Sequence, residues 1–219
     1  MRLLYAAALA LMCAVYVAPE AYPQPAPQIP PVSDAAAAVG FVDVRTAVPD
    51  AVIDLRYATA NNFVGVPLYP AGARCLIHES LAPGLARAAD VLRAQGATLV
   101  FWDCYRPHSV QVRMFDVVSD PNWVAKPGPY SRSHESGRSV DVTLSGPSGA
   151  LDMGTDFDDF SPRANALRTD GLSEAQQRNR AQLREAMAVG GLQVYSGEWW
   201  HFDGPGAGVQ RPIIDVPMA

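Results

Sequence analysis

Ser133-His134-Glu135-Ser136-Gly137-Arg138-Ser139-Val140-Asp141-Val142-Thr143-Leu144 is the stretch on which the reading of this chain turns. From Ser139 onward polar and apolar residues alternate, the period of a β-strand. Val140, Val142 and Leu144 share one face, and Ser139, Asp141 and Thr143 share the other. Gly137 permits a turn just before the strand, which can bring His134 back alongside Asp141. An imidazole and a carboxylate on neighbouring backbone make a ligand pair for a borderline metal such as zinc. Each also has a plainer interpretation: a lone His beside a Ser is more often a hydrogen-bonded surface residue, and a strand Asp is usually just solvated.

The chain has four histidines, His78, His108, His134 and His201, and the last lies in Glu198-Trp199-Trp200-His201-Phe202. His134, Asp141 and His201 would supply three ligands to a metal and leave one position open. Glu198 would then be the unbound carboxylate that accepts a proton. In a regular strand Glu198 and His201 face opposite sides, so a bulge or loop is needed for both to serve one site. The competing interpretation is a sheet edge whose two tryptophans fill the core.

Working outward, residues 53–57 (Ile-Asp-Leu-Arg-Tyr) alternate apolar and polar and predict a strand. Leu81, Leu85, Ala88, Ala89 and Leu92 recur at helical spacing over 80–95, and Gly96 supplies a stop. Residues 98–102 read as a buried strand. Pro107 can open a second helix running to 119, with Val110, Met114, Val117 and Val118 inward. Ser173, with Gln176 three residues on, is a capping box for a third helix that stops at Gly190-Gly191, and 192–195 form a last strand. There is no internal repeat. Irregular alternation of helices and strands predicts a single α+β domain, with a largely antiparallel sheet and flanking helices.

At 219 residues the chain suits one domain, and with 49% apolar and 18% charged residues it can build a packed core. Its 17 basic and 22 acidic residues leave a net charge of −5, which argues against nucleic acid or an anionic membrane as partner. Met1-Arg2 and an uncharged apolar run over 3–18 predict a signal peptide at 1–21, hence an exported protein, periplasmic or secreted. A retained anchor is the alternative, though the run is short for a full span. Cys13 follows the bulky Met12, which disfavours a lipoprotein. Six prolines between Pro19 and Pro31 favour an extended spacer over 22–39, so the folded domain is expected over 40–219. Once the leader is gone only Cys75 and Cys104 remain. Export permits a disulfide between them, with two buried thiols as the alternative.

Ser133-His134-x-x-Gly137-x-x-x-Asp141 followed by Glu198-x-Trp200-His201 resembles the VanX-like zinc D-alanyl-D-alanine dipeptidases, within the wider group of zinc DD-peptidases. Asp54-Leu55-Arg56-Tyr57-Ala58-Thr59-x-Asn61-Asn62-Phe63, Trp102-Asp103-x-Tyr105-Arg106-Pro107 and Met153-Gly154-Thr155-x-Phe157-Asp158 are similar to further segments of that family, in its order, over roughly 41 to 204. The resemblance implies the zinc DD-peptidase/Hedgehog-like fold and one zinc ion per chain, bound by His134, Asp141 and His201. It also implies Glu198 as catalytic base and Arg106 as the group that stabilises the developing oxyanion. Tyr57 and Asp158 would hold the ammonium of a small dipeptide substrate, and Ser133 would touch its other end. Three positions depart from the family's pattern. Arg132 stands where a Ser is common, Ser136 where a basic residue is frequent, and Ser139 where a small apolar residue is usual. His78 and His108 match no ligand position.

Two other readings stay open: an enzyme that trims peptidoglycan peptides as a carboxypeptidase or endopeptidase, and a zinc-bearing binding domain without catalysis. Glu198 and Arg106 argue against the latter, since a structural zinc site needs neither. No Gly-x-Ser-x-Gly elbow supports a serine hydrolase. The sequence does not fix the oligomeric state.

Overall fold

Helix and strand propensities are realised around one mixed sheet, seen in a computed structural model that describes residues 28–219. The proposed leader at 1–21, Cys13 and the first part of the spacer lie outside the described residues. Strands β1 (Phe41–Asp43), β2 (Val52–Ile53), β3 (Leu76–His78), β4 (Thr98–Asp103), β5 (Ser139–Gly146), β6 (Gly149–Ala150), β7 (Gln193–Val194) and β8 (His201–Asp203) alternate with four helices. These are α1 (Asp34–Ala38), α2 (Ala82–Ala94), α3 (His108–Val117) and α4 (Glu174–Val189). The main sheet runs β2-β4-β5-β8-β7, with β6 paired to β5; only β2 and β4 run parallel. A separate antiparallel pair joins β1 and β3. The α+β, largely antiparallel expectation is thus what the chain adopts.

The helices form where apolar stripes and caps coincide. In α2 the stripe Leu85, Ala88, Ala89 and Leu92 is buried, and in α4 Arg180, Leu183, Ala186 and Met187 are. Ser173 and Gln176 close both bonds of the capping box that starts α4. The two helices pack on each other and cover β4 and β5. Their approach is so close that a Cβ on Gly84 would lie 2.6 Å from the Gly190 carbonyl oxygen. Strands β4 and β5 are buried on both faces, so Ser139, Asp141 and Thr143 are interior residues and not a solvated edge.

Three expectations change. The 53–57 strand ends at Ile53, and a 3₁₀ turn over Arg56–Ala58 replaces its second half. Side-chain bonding wins there: the Asn62 amide donates to the carbonyls of Thr59 and Val66 and its oxygen accepts from Val64 N–H, holding a compact loop. Tyr57 is then fully buried, which a surface-alternating strand would not allow. Helix α3 stops at Val117, whose side chain is 45% exposed because the last turn runs beyond the core; Val110 and Met114 face inward. Lastly, folded structure begins before Gly40. Ser33 caps α1 and Ala36 is fully buried, so the spacer cannot extend to residue 39.

Candidate metal centre and active site

The register of β5 against β8 builds the centre. It sets Asp141 opposite His201 and Ser139 opposite Asp203, so four polar side chains share one face as cross-strand neighbours. His134 arrives from the 3₁₀ turn Ser133–Ser136, which Gly137 closes at φ 62°. Gly137 is required twice over: that φ disfavours a side chain, and a Cβ there would sit 2.7 Å from the Phe41 ring. A turn after β7 carries Glu198 to the same place. Trp199 N–H donates to the Ala164 carbonyl, and both tryptophans are buried behind it. Glu198 is therefore off the strand, which removes the facing conflict with His201.

His134 Nε2, Asp141 Oδ1 and His201 Nδ1 form a triangle with edges of 3.2, 3.0 and 3.0 Å. A tetrahedral zinc with bonds of about 2.0–2.1 Å would set its donors about 3.3 Å apart, so the triangle fits the ion. The proton arrangement fits too. His134 Nδ1 lies 2.8 Å from the Cys104 carbonyl, which can only accept, so Nδ1 carries the hydrogen and Nε2 presents a lone pair to the triangle. Among the described residues this is the one cluster of three such donors. Glu198 Oε2 stands outside it, 4.0 Å from His201 Nδ1.

The electrostatics are those of a buried polar cluster. Burial opposes the charge on Asp141, yet the two imidazoles outweigh it and hold that carboxyl far below its ordinary range. Burial also disfavours a charged His201, but hydrogen bonds to Asp141 and Asp203 raise it well above the usual imidazole value. Burial, with repulsion from Asp141 added, pushes Glu198 up to about 7.

Around the triangle lies a cavity of about 390 Å³ whose walls include Tyr57, Arg106, Asp158, Glu198 and His201. Arg106 is locked in place: Nε and Nη2 donate to Asp103 Oδ2 at 3.0 and 2.7 Å, and Nη1 donates to Gln111 Oε1 at 2.7 Å. Its guanidinium stands 3.9 Å from Asp141 and 5.3 Å from the centre of the Tyr57 ring. Tyr57 Oη donates to both oxygens of Asp158, at 2.9 and 3.1 Å. Burial, with the nearby Asp141 charge added, raises Asp158 well above the carboxylate range.

Of the residues singled out from sequence, His134, Asp141, His201, Glu198, Arg106, Tyr57, Asp158 and Ser133 all line this one cavity. The Ser133 N–H donates to the Ala207 carbonyl and its hydroxyl donates to Ser139, so what the hydroxyl keeps for a further partner is acceptor capacity. Cys75 and Cys104 are joined as a disulfide, which ties the residue just before β3 to the residue just after β4. His78 caps the turn at Ser80 and contacts Arg138, and His108 pairs with Glu135 at 2.6 Å. Asp103 and Gln111, which hold the Arg106 guanidinium, and Tyr69, which bonds Asp103, carry no assignment from sequence. Tyr69 Oη donates to Asp103 Oδ1 at 2.5 Å. The Trp102–Arg106 segment was the available signal, and nothing local in it distinguishes Asp103 from a solvated Asp.

Three imidazole and carboxylate donors at metal spacing, a free, partly buried carboxylate and a fixed guanidinium in one cavity define a hydrolytic metal centre of the metallopeptidase kind. A family model described as D-ala-D-ala dipeptidase, Peptidase_M15, matches residues 37–219. A D-alanyl-D-alanine dipeptidase of Escherichia coli (strain K12) is 37% identical over 176 residues, 80% of this chain and 90% of its own length. One of Enterococcus faecium is 31% identical over 185 residues, 75% of this chain and 91% of that protein. A solved structure of the D,D-pentapeptidase VanY E175A mutant with Zn(II) superposes with TM-score 0.39 at 19% identity, covering 61% of this chain and 75% of that one. The chain belongs to the D-Ala-D-Ala dipeptidase family, Peptidase_M15.

Proposed function

We propose that this chain is a zinc-dependent peptidase that hydrolyses D-alanyl-D-alanine to D-alanine in cell-wall peptide turnover. The observation that carries the reading is Asp158. It is a partly buried carboxylate whose hydrogen bonds come from Tyr57 Oη, and it faces the cavity that holds Glu198, Arg106 and the donor triangle. A free α-ammonium satisfies Asp158, whereas an acylated nitrogen brings bulk and no charge. That selects a dipeptide over a longer chain.

His134, Asp141 and His201 would hold the zinc, which when bound activates water and polarises the scissile carbonyl. Glu198 sits beside the ligands without joining them, the position for a group that takes a proton and then hands it to the departing amine. Arg106 presents a guanidinium held by Asp103 and Gln111, so it meets oxyanion charge with no reorganisation. Tyr57 keeps Asp158 oriented, and the two together align the amine end.

The same proposal covers location and boundaries. The apolar run at 3–18 and the Cys75–Cys104 disulfide support export, with 1–21 as leader. Among the described residues no helix is long and apolar enough to cross a membrane.

The test is D-alanine release from the dipeptide and from its N-acetyl derivative, with zinc content measured in parallel. Turnover of the free dipeptide alone is expected. Equal turnover of both would replace this reading by a carboxypeptidase, and zinc binding without cleavage of either, or of peptidoglycan peptides, would replace it by a binding domain.

A further inference from the structure

The register that places Asp141 beside His201 also places Ser139 beside Asp203. On β8, His201 and Asp203 are two residues apart and share a face, while Phe202 between them is fully buried in the core. His201 Nε2 lies 3.1 Å from Asp203 Oδ1. That same oxygen accepts from Ser139 Oγ at 2.5 Å, and Ser139 Oγ in turn accepts from Ser133 Oγ at 2.9 Å. Ser133 is held at φ 49°, a backbone state unusual for a residue with a side chain, and its N–H is fixed on Ala207. The result is one directed chain of donors, Ser133 to Ser139 to Asp203, ending at the outer nitrogen of a proposed metal ligand.

We infer that Asp203 is the positioning residue for His201, and that Ser139 holds Asp203 in the orientation this requires. A carboxylate acceptor at Nε2 keeps the hydrogen on that nitrogen, so Nδ1 is left with a lone pair directed at Asp141 and His134, where the ion would sit. It also fixes the ring plane and raises the basicity of Nδ1. Asp203 is partly exposed, with 41% of its side chain accessible, so Coulomb attraction to the ring is screened and orientation depends on the hydrogen bonds. Ser139 supplies the second of them. A small apolar residue at that position would leave Asp203 free to rotate into solvent. Ser133 is then the far end of the support.

The inference rests on the zinc reading, and the assay separates it from dipeptide hydrolysis because it needs no substrate. Zinc dissociation constants are measured by competition with a chromophoric chelator, and the cobalt(II)-substituted proteins are compared by visible spectrum. Asp203→Ala is expected to weaken zinc binding about 10–100-fold and to shift the cobalt bands. Asp203→Asn keeps an acceptor of the same shape without charge and should fall between Asp203→Ala and wild type. Ser139→Ala should weaken binding less than Asp203→Ala, Ser133→Ala less again, and Ser139→Ala should add nothing on top of Asp203→Ala. Wild-type zinc affinity and an unchanged cobalt spectrum in Asp203→Ala overturn the inference. If that variant does not fold, the same result in Asp203→Asn overturns it. An additive effect of Ser139→Ala in the Asp203 background overturns the link between them.

Discussion

Removing the Cys75–Cys104 disulfide tests stability and the metal centre together. The bridge closes a loop with a sequence separation of 29. On the chain-entropy model that loop contributes about 3.6 kcal/mol by restricting the unfolded state. For a domain of this size each kcal/mol shifts Tm by roughly 2–4 °C, so Tm should fall by about 7–14 °C. Cys75 and Cys104 are 2% and 0% exposed, so the variant is Cys75→Ala/Cys104→Ala, since serines would bury unpaired hydroxyls. The consequence for the site follows from the Cys104 carbonyl, which fixes the His134 tautomer, and from the Arg106 N–H, which donates to the His134 carbonyl. Zinc affinity should therefore drop with stability. Calorimetry gives Tm, and guanidinium titration should show a larger m-value because the uncrosslinked chain expands further. A Tm loss below about 3 °C with unchanged m would refute the reasoning, since the loop would then be constrained by something other than the bridge.

Glu198→Gln should keep its zinc and its fold yet lose about 10²–10⁴-fold in kcat on the dipeptide, because the amide cannot carry the proton; near-normal turnover would remove Glu198 from the mechanism. Asp158→Ala should raise KM for the dipeptide and lessen discrimination against the N-acetyl derivative; kinetics on both substrates decide this, and unchanged discrimination would dissociate Asp158 from the amine. Chelator-treated protein should show a specific pH dependence. Glu198 at about 7 lies above its ordinary 4.5, so the native state keeps a proton that the unfolded state releases. That contribution is complete below about pH 4.5 and is lost as pH rises to about 7, by on the order of 3 kcal/mol. Glu198→Gln lacks it, so thermal melts of metal-free wild type should lose ground to the variant across that window, and parallel curves would refute the assignment.

The local physics of this chain was legible from its order of residues. Alternation over Ser139–Leu144, the stripe from Leu81 to Leu92 and the Ser173–Gln176 box each act within a few residues, and each appears as read. The donors His134, Asp141 and His201 were legible as a set through the resemblance to the zinc dipeptidases, since each alone has a plainer use as a hydrogen-bonded or solvated side chain. What tertiary structure alone decided is which of many polar residues are supports. Asp103, Gln111, Ser139 and Asp203 look like ordinary polar positions in sequence. Their roles arise from contacts set by the β5–β8 register, by the shift in β4–β5 pairing between Phe101 and Asp103, and by the seat of Gln111 on α3. Tyr57 left its expected strand because the bonding of Asn62 and burial against Asp158 outweighed a five-residue alternation. The bond from the Ser133 hydroxyl to Ser139, six residues away, was likewise not legible. Register and hydrogen-bond direction are properties of the whole packed core, in which a one-residue slip would carry Asp141 and His201 to opposite faces. No local pattern encodes that choice.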